Sequence, residues 1–378
     1  MHRDFRRWFR LVAVLLAPAA QLWFLHRGER VYAALPSLGH GCVPAEDRPL
    51  VSIIVPARNE AQNLRRLLPS LTHLTHRQTE LIVVDDNSTD DTARIARNFG
   101  ARLLFAGPLP SGWVGKSHAC WVGARAASSD WLLFTDADTW HAPTSLGRAL
   151  AHALDGNLAA LSLLTKQECN SFWASLLLPF AYQHYFAGLR PDALTDRRSR
   201  AVLLNGQYVL VQRAVYDRCG GHAAVRGSLI EDAALGALFK HANIPFETVH
   251  SEGAVHVRMY QGLAGIWEGF SKNSARFLAA DPAGGGLTAL STASAGAASL
   301  LVVQGIISRR SAALVAGLIS YLIAVIGLGR WQCRFGAPVI LAWLQPLAAA
   351  VFQVIAFNSA YRATTRTGAR WKGRVYRI

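Results

Sequence analysis

The chain has 378 residues, 51% of them hydrophobic and only 17% charged, with a formal net charge of +15. That length holds one large domain or two ordinary ones, and the apolar content is high for a wholly soluble protein. The last 97 residues hold no acidic side chain and carry +10 of the charge, residues 1–48 carry +3 and the stretch between only +2; a nucleic-acid binder concentrates positive charge on its folded domain, so nucleic acid is excluded as a partner and the arginines are assigned to a membrane surface.

Residues 1–30 read as an uncleaved membrane anchor, because the apolar run Leu11–Leu25 follows Arg6-Arg7-Trp8-Phe9-Arg10 with no convincing small-residue cleavage site after it. From Pro49 to Ser251 short apolar runs alternate with helical periodicity, the signature of an α/β domain with a largely parallel sheet, assigned to 49–280. Its first strand, Val51–Val55, ends at Pro56, and Leu64, Leu67, Leu68 and Leu71 mark a helix over 60–71. A second strand covers Leu81–Val84, and Ser88 or Thr89 can cap the helix that carries Ile95 and Phe99 and ends at Gly100. Further strands are predicted over Arg102–Phe105, Trp131–Phe134, Leu158–Leu163, Val202–Val211 and Pro245–His250, with helices over 117–127, 144–154, 172–189 and 232–241.

Beyond them Pro282–Ser308, Ser311–Gly329 and Phe335–Tyr361 are free of charge. Each supplies the about 17 to 25 apolar residues of a bilayer span, so 287–361 is assigned as a membrane region of two to three helices and 362–378 as a basic tail. The five cysteines are widely spaced without a CxxC pair, which suggests neither a disulfide framework nor a zinc site and places the main domain in a reducing compartment.

In an open α/β sheet, ligands bind beyond the carboxyl ends of the strands. Pro56-Ala57-Arg58-Asn59-Glu60, Asp85-Asp86 and Asp136-Ala137-Asp138 all sit at such ends. Asp86 can hold a ligand or cap a helix with Ser88. Asp136 and Asp138 are two apart, so in an extended segment both carboxylates project to one side, an arrangement suited to Mg²⁺ or Mn²⁺ bridged to substrate phosphates. Lys116, in Gly112-Trp113-Val114-Gly115-Lys116-Ser117, enters a helix N-terminus where amides and an ammonium favour a diphosphate, but the glycine spacing of an ATPase loop is missing and a surface lysine is the ordinary alternative. Asp232, opening a helix after Glu231, serves equally as cap or as general base. His256 and Arg258 contact either diphosphate or metal, or else pair at the membrane surface.

In their order and spacing, Val55-Pro56-Ala57-Arg58-Asn59-Glu60, Val84-Asp85-Asp86-Asn87-Ser88-Thr89-Asp90, Gly115-Lys116, Asp136-Ala137-Asp138 and Glu231-Asp232 resemble the family 2 glycosyltransferases of GT-A fold, over residues 50–275. Gly112-Trp113-Val114-Gly115-Lys116, Asn205-Gly206-Gln207, Gly220-Gly221-His222 and Trp371-Lys372-Gly373-Arg374-Val375-Tyr376 are similar to the membrane-bound branch associated with hopanoids and carotenoids. The resemblance implies a nucleotide-sugar donor held by Asp86 and its neighbours Pro56, Arg58, Glu60, Asp85, Lys116, Asn205 and Glu231. It implies a divalent metal on Asp138 with Asp136 and His256, Asp232 as base, and inversion at the anomeric carbon.

The implied acceptor is a membrane lipid of isoprenoid type, with polyprenyl phosphate, a sphingoid-type lipid or a non-catalytic scaffold role as alternatives. The Q/R-x-x-R-W motif of processive synthases is missing: Arg370-Trp371 has Thr367 in place of Gln or Arg. Instead the Leu263, Ile266, Trp267, Phe270 face is expected in the bilayer interface. A donor-using domain belongs on the cytoplasmic side of the cell's inner membrane, whereas four full spans would put it outside. The expectation that reconciles these has Leu11–Leu25, with Pro18, and Leu290–Ile307 each dipping in and returning on one face.

Overall fold

A computed structural model describes residues 2–196, 198–365 and 368–376. Arg366, Thr367 and Arg377 of the basic tail lie outside the described residues. The strands are β1 (Val51–Ala57), β2 (Thr79–Asp85), β3 (Arg102–Phe105), β4 (Trp131–Thr135), β5 (Thr139–His141), β6 (Ala160–Leu164), β7 (Lys166–Gln167), β8 (Tyr208–Gln212), β9 (Phe246–His250), β10 (Val255–Val257), β11 (Ala369–Trp371) and β12 (Arg374–Tyr376). The first seven helices are α1 (His2–Ala33), α2 (Ala61–Thr72), α3 (Thr92–Asn98), α4 (Gly115–Ala126), α5 (Ser145–Asp155), α6 (Phe172–Gly188) and α7 (Pro191–Thr195). They are followed by α8 (Arg213–Arg218), α9 (Gly221–Ala224), α10 (Glu231–His241), α11 (Leu263–Ala280), α12 (Pro282–Ile307), α13 (Ser311–Arg334) and α14 (Gln345–Thr364).

The chain divides into two units. The first, Leu35–Glu168 with Ala193–Met259, holds a seven-stranded sheet in the order β3-β2-β1-β4-β8-β6-β9. β3, β2, β1 and β4 run parallel, as do β6 and β9, while β8 is antiparallel to both its neighbours. Alternation along β1 sends Ile53 to a core with Leu64, Leu67 and Leu68 of α2, and Ile54 to one with Ala119, Cys120 and Phe239. Both faces are therefore covered, which is why the central strands read as nearly continuous apolar runs. Pro56 does not end β1 as expected: pairing with β4 stops at Ile54, so the missing N–H costs no ladder bond there and the strand reaches Ala57. The expected strand Val202–Val211 begins only at Tyr208, because residues 202–207 form the irregular approach to it. A second sheet, β5-β10-β7, has no counterpart in the sequence reading.

The second unit gathers Met1–Ala34, Cys169–Asp192 and Tyr260–Ile378. It takes in α6 and α11, which the sequence reading had placed in the 49–280 domain; α6 is apolar on nearly every side and finds its core among other helices, with Leu176, Leu177 and Phe180 packed with Ala348 and Phe352. Among the described residues, three helical segments are long and apolar enough to cross a membrane: Pro282–Ile307, Ser311–Arg334 and Val339–Thr364.

The expected dips at both N-terminal and Ser-rich runs are overturned. α1 is one 32-residue helix with Pro18 inside it, and α12 is one 26-residue helix. The small residues there serve close packing instead: a Cβ at Gly305 would meet the Leu314 backbone at 2.5 Å, and one at Gly317 the Val302 backbone at 2.6 Å. The chain turns back elsewhere. Tyr321, midway along α13, donates from its hydroxyl to the Trp343 carbonyl at 2.8 Å, and Gln345, the first residue of α14, donates to Ala295, midway along α12, at 3.1 Å. At its other end α14 meets α11, where Asn358 donates to Ser271 and the Ala275 amide to Ser359, each at 3.0 Å. On α11, Ile266 of the expected interfacial face is fully buried, with Leu263 and Phe270 packed against the same core, while Trp267 is half-buried.

Candidate active site

Two loops at the carboxyl ends of β1 and β2 are stitched together. The Asn59 amide donates to Ser88 Oγ at 2.9 Å, the Thr89 amide to Asn59 Oδ1 at 2.8 Å, and the Ala61 amide to Asp90 Oδ2 at 3.1 Å. Asn59 and Asn87 both take positive φ, 54° and 57°, which asparagine tolerates. Ser88 and Thr89 are thus spent on this seam rather than on capping α3, where Asp90 instead accepts from the Thr92 amide at 3.0 Å. Arg58 donates to the Asp86 carbonyl at 2.7 Å, and Asn63 donates to Glu60 Oε2 at 2.6 Å. Asp85 and Asp86 are 3% and 4% exposed, the first accepting from the Ser88 amide at 2.9 Å.

Beside this seam Pro56, Lys116, Asp136, Glu231 and Asp232 line one cavity, closed by Cys120, Phe134, Val209, His222 and Leu235. Lys116 Nζ lies 2.7 Å from Asp136 Oδ1 and 2.7 Å from Glu231 Oε1. Burial works to lower its pKa, but Asp136 and Glu231 outweigh it and hold the ammonium well above its usual range. Asp232 Oδ2 accepts from the Gly206 amide at 3.1 Å and Oδ1 from the Ala233 amide at 2.8 Å. Burial first, and Glu231 second, push its carboxyl up to about 6 against the opposing pull of Lys116 and the two amides. A carboxylate raised to that value is suited to accept a proton near neutral pH.

Asn205 stands behind the cavity, its amide donating to the Leu163 carbonyl at 2.8 Å; it shapes the approach to Gly206. Asp136 and Asp138 do not share an extended segment: the chain turns there, and the Thr139 hydroxyl donates to the Asp136 carbonyl at 2.8 Å. Asp136 faces Lys116, while Asp138 continues the β5–β10 ladder, its carbonyl accepting from the Arg258 amide at 3.0 Å. His256, on β10, has Nδ1 3.0 Å from Glu168 Oε1 and its ring stacked on Trp140 at 5.3 Å, with the Arg66 guanidinium also over that indole at 4.6 Å. Asp138 and His256 are the side chains here suited to a metal. Glu168 and Trp140 belong to no motif and carry no signal in the sequence, because the residue they meet, His256, is distant along the chain.

Residues 52–226 match Glycosyl transferase family 2. The chain is 30% identical over 346 residues to 4,4'-diaponeurosporenoate glycosyltransferase of Staphylococcus aureus (strain USA300), covering 87% of this chain and 88% of that one. It belongs to glycosyl transferase family 2. Its family relative in Staphylococcus haemolyticus (strain JCSC1435), also a 4,4'-diaponeurosporenoate glycosyltransferase, is 31% identical over 236 residues, 60% of this chain and 61% of that one. Among solved structures the mannosyltransferase PcManGT from Pyrobaculum calidifontis, determined in complex with GDP-Man and Mn²⁺, matches 94% of this chain and 99% of its own with a TM-score of 0.50 at 17% identity. The family 2 chain is therefore a glycosyltransferase of GT-A fold, with a mostly parallel sheet followed by three apolar helices.

Proposed function

We propose that this glycosyltransferase is metal-dependent and inverting, and moves one sugar from a nucleotide-sugar donor to a hydroxyl of an isoprenoid-type membrane lipid such as a carotenoid or hopanoid. The observation that carries the proposal is the convergence of Lys116, Asp136, Glu231 and Asp232 on one cavity at the carboxyl end of β4. The acceptor oxygen attacks the anomeric carbon opposite the nucleoside diphosphate, the bond to the diphosphate breaks as the glycosidic bond forms, and configuration inverts. Asp232 takes the hydroxyl proton. Asp85 and Asp86 hold the nucleoside from the end of β2, with Arg58 and Glu60 in the adjoining loop, and the Lys116 ammonium meets the diphosphate.

Asp138 and His256 would hold a divalent ion: a carboxylate oxygen and an imidazole nitrogen suit Mg²⁺ or Mn²⁺, while Asp136 is engaged by Lys116. Glu168 occupies His256 Nδ1, leaving Nε2 to coordinate with the carboxylate backing that such histidines usually have. Among the described residues no three His, Cys, Asp or Glu side chains form a metal cage; a Mg²⁺ or Mn²⁺ held here would take its remaining ligands from the substrate phosphates and water. When bound, the ion offsets negative charge on the departing diphosphate.

The relatives named for 4,4'-diaponeurosporenoate support a lipid-like isoprenoid acceptor, and the Pyrobaculum enzyme held with GDP-Man and Mn²⁺ supports the donor and ion. The apolar helices support a place in the cell's inner membrane, with the catalytic unit facing the cytoplasm where activated sugars are made. The test incubates purified protein in detergent with Mn²⁺, a panel of nucleotide sugars and a membrane lipid extract, and identifies products by mass spectrometry. A glycosylated lipid is expected with one donor; no product with any donor would sink the proposal.

A further inference from the structure

The Gly220-Gly221-His222 motif has no part in the reaction above, yet it brings an imidazole to the cavity wall. Gly220 and Gly221 take positive φ, 81° and 47°, and a Cβ on Gly221 would come 2.2 Å from Tyr216 Cζ. Glycine there lets the chain close onto the Tyr216 ring. His222 is 4% exposed, and its ring stands edge-on to Phe134 with centroids 4.7 Å apart.

The protonation pattern follows from its contacts. The His222 backbone amide donates to Tyr216 Oη at 3.0 Å, and His222 Nδ1 lies 2.9 Å from that same oxygen. The buried phenol proton needs an acceptor, and Nδ1 is the one within reach. Nδ1 therefore carries the lone pair, and the ring proton sits on Nε2. Burial holds the ring neutral, with its pKa lowered to about 4; Glu231 opposes this and Lys116 adds to it.

A single neutral N–H thus stands among Cys120, Phe134, Val209 and Leu235, with the Glu231 and Asp232 carboxylates beside it. Those carboxylates repel a phosphate but accept from hydroxyls, so this end of the cavity suits the uncharged, hydroxyl-rich part of a donor. We infer that His222 is a specificity-determining residue: its Nε2–H donates to a hydroxyl of the sugar being transferred, and Tyr216 is the positioning residue that fixes its tautomer. This rests on the nucleotide-sugar reading above. A site built to bond a hydroxyl rejects a sugar that lacks it or turns it away, because the buried donor is then left unpaired.

The test is calorimetric titration of the full-length protein in detergent with Mn²⁺, comparing UDP with UDP-glucose and UDP-galactose, and GDP with GDP-mannose. Wild type is expected to bind one sugar-bearing nucleotide more tightly than its sugar-free form. His222→Phe should reduce that ratio about tenfold, the worth of one good hydrogen bond, with nucleoside diphosphate binding unchanged. His222→Gln, which keeps an N–H donor, should restore part of the ratio, and Tyr216→Phe should fall between. A wild type that binds none of these ligands overturns the donor reading itself. A wild type that does not distinguish sugar-bearing from sugar-free nucleotide, a ratio unchanged in His222→Phe, or equal weakening of both ligands overturns the role of His222 alone.

Discussion

Lys116 and Glu231 meet at 2.7 Å on the cavity wall, and the ammonium that joins them also reaches Asp136 at the same distance. Glu231 is the immediate neighbour of Asp232 and raises its pKa, while the same cation pulls that pKa down. The ionisation of Asp232 is where that balance becomes measurable.

With Asp232 pushed up to about 6 by burial and Glu231, activity should fall below pH 6 as the base takes up a proton, about tenfold per pH unit. The acidic limb of kcat/KM against pH checks this. Asp232→Asn should lose about 10²- to 10⁴-fold in kcat with donor binding nearly intact, and full turnover would defeat the assignment. The size of the loss also separates acceptor classes, since a carboxylate acceptor is already ionised at neutral pH and depends far less on a base.

Lys116→Met should move the same acidic limb upward, because Lys116 lowers the Asp232 pKa and its charge is then gone. The change also leaves Asp136 and Glu231 uncompensated. All three side chains are partly exposed, at 30%, 26% and 10%, so a stability loss of about 1 to 3 kcal/mol is expected rather than the larger figure for a fully buried pair. A limb that stays in place would show that Lys116 does not act on Asp232.

Asp138→Ala and His256→Gln should each weaken Mn²⁺ binding in the presence of UDP or GDP, read from the electron paramagnetic resonance of free Mn²⁺. Glu168→Gln should weaken it less, about 10-fold, because it acts through the orientation of His256. Chelation should abolish transfer and added Mn²⁺ restore it. Unchanged Mn²⁺ binding in both Asp138 and His256 variants would remove them from the metal site.

Gly206→Ala would set a Cβ 3.0 Å from Asp232 Cβ and 3.2 Å from its Oδ2, tight enough to displace the carboxylate by a few tenths of an ångström. kcat should fall about tenfold while donor KM stays put, since only the base is moved. A kcat equal to wild type would show that the base tolerates the shift.

Much of this was legible because central parallel strands are buried on both faces. Val51–Val55 is apolar but for the buried Ser52 and Trp131–Phe134 is apolar throughout, so the polar residues that follow them stand out as strand ends. β5, β7 and β10 were not legible: Thr139-Trp140-His141, Lys166-Gln167 and Val255-His256-Val257 are too short to show a period, and their pairing sets residues distant along the chain side by side, His256 opposite both Trp140 and Lys166. The same holds for Lys116 with Glu231. The motif residues were found one by one, but the ion pair that joins them exists only in the fold. For α6 the sequence leaves the packing partner open for a different reason: a helix apolar all round announces burial without saying in which core.

The turnback at Phe335–Leu344 bears on the parity of the chain. Three crossings after the catalytic sequence would strand the tail across the bilayer, whereas two crossings followed by an element that enters and leaves by one face return it. α14 starts level with the middle of α12 and ends beside α11, so the hairpin β11–β12 should share a side with the start of α12, and Arg309-Arg310 should mark the opposite one. With the native cysteines replaced, cysteines at Ala280 and Gly373 should react with an impermeant maleimide from the same side of sealed vesicles, and one at Arg310 from the other. Labelling of 280 and 373 from opposite sides would restore three crossings. In the returning arrangement, the chain leaves the bilayer after α14 on the face by which it enters α12.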